Sequence, residues 1–163
     1  MAHEPNAELA ALFPELRDWN AGRGITVSDW LNTIGSIPSA IAYSTLFWPE
    51  FVEYEGCIFR GDFSPKSFDV WMKTLNGDKT RVEIVVNHRH LTDFFLNAKE
   101  APSPDQVEYL GKLLQKIWTL KLQNDFPLSG VRVEFYWHDR EAWHDREATD
   151  DAQITVYCQR ETS

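Results

Sequence analysis

With 163 residues, 43% of them hydrophobic and 25% charged, the chain has the length and balance of one globular domain able to bury a core without staples. Its net charge of −9, Asp and Glu 25 against Lys and Arg 16 with no basic cluster, argues against nucleic acid or an anionic membrane as partner and permits a basic protein surface. No apolar run is long enough to span a membrane, residues 1–5 do not read as a signal peptide, and Cys57 and Cys158 lack redox or metal spacing, so the expected setting is the reducing cytoplasm with no cofactor.

Residues 4–19 carry Leu9, Leu12, Phe13 and Leu16 at helical spacing, with Pro14 inside the stripe, which predicts a break there. Residues 20–24, with Gly22 and Gly24, read as a turn. Thr26 and Asp29 have capping-box spacing, and Val27, Trp30, Leu31 and Ile34 are expected to form the buried face of the helix that follows, which Gly35 stops. A further helix starts at Pro38 or Ser39 and runs toward Pro49.

The stretch from Thr45 to Gly61 organises the rest. Two short strands fold back at Glu55-Gly56, which places Tyr54 opposite Cys57 and Val52 opposite Phe59 on one face. Ser64-Pro65 begins a helix with Phe68, Trp71, Met72 and Leu75 on one side, ended by Asn76-Gly77. Ser103 and Gln106 make a second capping box, opening a helix to about residue 124 with Val107, Leu110, Leu114, Ile117 and Trp118 as its stripe. Residues 131–137 and 153–158 alternate as strands, the first with Val131, Val133, Phe135 and Trp137 inward, the second with Ile154, Val156 and Cys158 inward. Segregated helices and strands predict an α+β fold: a four-stranded antiparallel sheet of two hairpins, with five to six helices mainly on one face.

Residues 81–95 read two ways. Val82 to Val86 is β-branched like a strand. Over its whole length the segment reads as a helix capped by Asp78, and the helix is the expectation, because no turn residue interrupts 87–90. On a strand, His88 and His90 share a face, as a metal pair would require. On a helix, Glu83, Asn87 and His90 gather along one side with Asp93 three residues on, a set able to hold a ligand or to place a general base. The bland reading is that these groups bond neighbouring backbone at the edge of the core.

Residues 137–148 write one hexapeptide twice. The copy falls between the last two strands, so residues 138–151 are expected to form an extended hairpin loop. From Asp139 to Asp151 it has six acids and two arginines, which makes Trp143, Asp139, Glu141, Asp145 and Glu147 candidates for contact with a basic surface. His138 and His144 are the loop's candidate metal ligands, with nothing to preorganise them.

Seven tryptophans, the acidic charge and the lack of any catalytic motif together predict a small acidic protein-binding protein: an inhibitor, immunity-type factor or adaptor. The competing expectation is a small-molecule-binding domain or small enzyme built on Glu83, Asn87, His90 and Asp93. The sequence leaves the oligomeric state open.

Overall fold

A computed structural model describes residues 7–96, 101–127, 129–137 and 152–160. The chain forms two compact units, divided between Tyr43 and Ser44. The expected loop at 138–151 lies outside the described residues, and so do His138, Asp139, Glu141, Trp143, His144, Asp145 and Glu147.

The N-terminal unit is a run of short helices. Helix α1 (Ala7–Ala11) stops before Pro14, which opens a 3-10 turn over Pro14–Arg17, the break that proline in the stripe predicts. Leu16 is buried, and its carbonyl accepts from Ile25 N–H at 3.1 Å, closing the turn between them. The next element, α2 (Trp19–Gly22), holds Asn20 and Ala21 at φ 57° and 58°, so it is a left-handed reversal rather than a regular helix. Helix α3 (Val27–Ile34) begins with the full capping box: Thr26 Oγ1 accepts from Asp29 N–H at 3.1 Å, and Thr26 N–H donates to the Asp29 carboxylate at 3.2 Å. Helix α4 (Ile37–Phe47) then runs into the second unit.

The second unit is α+β, and its strands form two antiparallel sheets instead of the expected single sheet of four. Strands β1 (Phe51–Tyr54) and β2 (Cys57–Arg60) pair in the predicted register around Glu55 and Gly56, both at positive φ as a type I′ turn requires. One hairpin face, with Cys57 and Phe59, packs with Phe68 and Trp71 of α5 (Pro65–Thr74) and Val82 of α6 (Lys79–Asn87). The opposite face turns Phe51 and Ile58 toward the main core, so helices cover the hairpin on both sides.

Helix α6 ends at Asn87 and gives way to β3 (Arg89–His90) and a 3-10 turn over Leu91–Phe95. The expectation of one continuous helix over 81–95 is therefore corrected. His88 takes an extended conformation (φ −58°, ψ 132°) without any Gly or Pro, because the two residues that follow pair with β5. Helix α7 (Pro104–Asp125) carries the second capping box, Ser103 with Gln106. Strands β4 (Val131–Trp137) and β5 (Ala152–Cys158) complete a sheet of order β3–β5–β4. Helix α7 lies close against β4 at Gly111, where an added Cβ would come within 2.3 Å of the Phe135 ring. Trp118 is fully buried at the centre of the main core, and its indole N–H donates to Leu46 O at 2.9 Å. No helix among the described residues is long and apolar enough to cross a membrane.

Candidate functional site: a polar seam and an uncovered helix face

Burying a carboxylate and an amide is costly unless every polar atom finds a partner. Glu83 and Asn87, four apart on α6, are both fully buried. Glu83 Oε1 accepts from Ile58 N–H at 2.7 Å, and Oε2 accepts from Cys158 N–H at 2.9 Å. Asn87 donates to Ile58 O and to Val156 O, each at 2.8 Å, and its Oδ1 accepts from Arg60 N–H at 3.0 Å. Two side chains of one helix thus occupy the hydrogen-bonding edges of β2 and β5. This explains why the two sheets do not merge: the seam between them is filled by α6 rather than by a ladder of backbone bonds.

Arg160 compensates the buried charge. Its Nη1 reaches Glu83 Oε2 at 2.6 Å, its Nη2 reaches Oε1 at 3.1 Å, and Nη2 also donates to Gly56 O at 2.7 Å. Thr80 adds a hydroxyl bond to Cys158 O at 3.1 Å. Burial first, and the Glu83 charge second, push the Cys57 thiol up, and the same causes push Cys158 up to about 12. Neither thiol has the lowered value that a nucleophile needs.

The four residues expected to form one cluster divide. Glu83 and Asn87 turn into the seam, Asp93 is exposed on the 3-10 turn, and His90 is half-buried on β3 opposite Gln153. His88 and His90 do come together: their rings lie 4.7 Å apart, edge to face, as the strand reading of this segment required. Burial, followed by the neighbouring His90, holds His88 below its ordinary value. No three His, Cys, Asp or Glu side chains among the described residues assemble as a metal-ligand set. An apolar cleft of about 270 Å³ opens between the 3-10 turn and the start of α7, lined by Leu91, Phe95, Pro102, Val107 and Leu110. His90 does not line it.

Sequence reasoning found Glu83 and Asn87 but missed Arg160 and Thr80. Arg160 lies two residues beyond the last strand and has no pattern around it. Thr80 could have been found, since it sits three residues before Glu83 on the same helix side.

In the N-terminal unit the expectation for α3 is corrected. Val27 and Trp30 are half-buried, Leu31 and Ile34 are 60% and 55% exposed, and the helix holds no buried residue. Ile37 and Ile41 of α4 are 77% and 65% exposed. The physical reason is geometric: helices this short, joined by tight turns, bring little against α3 among the described residues, where Trp30 meets the Phe13 ring at 5.1 Å. These four apolar residues fall in a run without a single charge, from Trp30 to Pro49.

No protein-family model, curated protein or solved structure matches the chain.

Proposed function

We propose that the chain is a protein-binding protein, an inhibitor, immunity-type factor or adaptor in kind, that docks through the apolar face of α3 and the start of α4. The observation that carries this reading is the exposure of Leu31, Ile34, Ile37 and Ile41 within an uncharged run of an otherwise acidic chain. Apolar surface of this extent on a short helical unit marks a contact face. The partner is a protein with an apolar groove rimmed by basic groups, since the net charge of −9 favours approach to positive potential. The competing small-molecule reading loses support at Glu83 and Asn87, whose polar atoms are spent on the chain's own backbone.

The test compares the full chain with a triple variant, Ile34→Ser, Ile37→Ser and Ile41→Ser, in affinity capture from cytosol. A captured partner is then purified and titrated directly. The expected result is a basic partner held by the unaltered chain and lost by the variant, with affinity falling as salt rises. Equal capture by both proteins would sink this assignment of the surface.

A further inference from the structure

The order β3–β5–β4 leaves residues 131–135 of β4 without a neighbouring strand on one side among the described residues. Which of its groups point that way follows from bonds around it. Gln159 N–H donates to Gly130 O at 3.2 Å, so in this ladder the even-numbered residues of β4 exchange bonds with β5: Arg132 with Tyr157 and Glu134 with Thr155. The odd-numbered residues Val131, Val133 and Phe135 therefore turn N–H and C=O outward. Gln115 Nε2, which donates to Val133 O at 3.0 Å, meets β4 on that outward side. Over 131–135 the edge has no proline, its register with β5 runs without a bulge, and its two charges, Arg132 and Glu134, are of opposite sign.

We propose that this edge pairs with the same edge of a second copy of the chain, antiparallel and two-fold symmetric about Val133. An odd-numbered residue on the axis makes a hydrogen-bonded central pair and an even-numbered one a non-bonded central pair. Centring on Arg132 or Glu134 would set like charges opposite each other, which leaves the odd-numbered residues. Charge then selects among them. Centring on Val133 sets Arg132 opposite the partner's Glu134, and Glu134 opposite the partner's Arg132. Centring on Phe135 sets Glu134 opposite the partner's Tyr136, and centring on Val131 sets Arg132 opposite the partner's Gly130. Only the Val133 axis pairs both charges with their opposites, an arrangement that cross-strand neighbours favour. The same axis sets Val131 against the partner's Phe135 on the face toward α7.

Arg132 and Glu134 are exposed, and their bonds within one copy, to Gln159 and to Tyr157, leave them at the strand surface. Val133 O accepts from Gln115 and keeps a second lone pair for the partner's N–H. In a chain of net charge −9, this local complementarity offsets repulsion between copies. The residues of this edge are not those of the α3 face, so the inference stands or falls independently of the proposed function.

Sedimentation equilibrium of the full chain tests it, alongside Arg132→Glu, Glu134→Arg and the double exchange. The unaltered chain is expected to dimerise in roughly the micromolar range, because strand pairing alone buries less than a standard interface of about 1,600 Å². Each single variant turns two attractive pairs into repulsive ones and should weaken the dimer about tenfold or more. The double exchange restores opposite signs and should return the dimer to near its original strength. Amide exchange gives a second reading: Val131 and Phe135 N–H should become protected as concentration rises. A chain that stays monomeric to about a millimolar, single variants that dimerise as well as the original, or a double exchange no better than the singles would each overturn the proposal.

Discussion

Helices α3 and α6 are of similar length and carry opposite sequence signals. Helix α3 has a clear apolar stripe and a complete capping box, yet it buries no residue. Helix α6 mixes valines with Glu83 and Asn87, has no clean stripe, and sits between two sheets with both polar residues fully buried. Periodicity tells which face of a helix is apolar. It does not tell whether anything covers that face. What settles burial is the number of elements that converge on the helix, and α6 has β2, β5 and α5 around it.

The largest effect expected from this contrast is at the seam. Glu83→Ala would leave Ile58 N–H, Cys158 N–H and the Arg160 guanidinium without their shared acceptor, and breaking such a buried pair costs about 3–5 kcal/mol. Glu83→Gln keeps the shape and one acceptor oxygen, so a smaller loss of about 1–3 kcal/mol is expected. Urea denaturation followed by Trp fluorescence measures both. A loss under about 1 kcal/mol for the alanine variant would mean that the two sheets hold together without α6's carboxylate.

The pH response separates the same two regions. At the seam, burial and Glu83 push Cys158 up to about 12, and on the outer face the Tyr157 hydroxyl bond to Glu134 pushes Tyr157 up to about 12. The unfolded chain loses these protons near pH 9 and 10, while the folded chain keeps them. Their contribution is therefore complete below pH 9 and falls as pH rises toward 12. At α3 the sign reverses: the Thr26 hydroxyl bond holds the Asp29 carboxyl below its ordinary value, so the capping box contributes above that value and weakens as pH falls through it. Melting curves at pH 8 to 11 should show a declining midpoint that is shallower above pH 10 in Tyr157→Phe. Fluorescence from Trp30 should respond at the acid end instead. An alkaline decline unchanged by Tyr157→Phe would remove the strand-pair bond as its cause.

The smallest effect belongs to the exposed stripe. Leu31→Ser with Ile34→Ser should change folding stability by no more than about 0.5 kcal/mol, the ordinary range for surface positions. A loss above about 2 kcal/mol would show that these side chains are packed, and would return α3 to the buried role its periodicity suggests.

Local structure in this chain was set by short-range chemistry, and the sequence alone determined it. The capping boxes at Thr26 and Ser103, the reversal at Glu55-Gly56, the break at Pro14 and the alternation of β4 and β5 all depend on residues within a few positions of each other. The division of the strands into two sheets, the end of α6 at Asn87, the pairing of β3, and the partners of Glu83 depend on groups brought from 25 to 77 residues away. No local pattern encodes such contacts, because a strand edge is satisfied equally well by another strand or by a side chain. Here a glutamate and an asparagine on one helix took that place, and only the packing of α6 between β2 and β5 decided it.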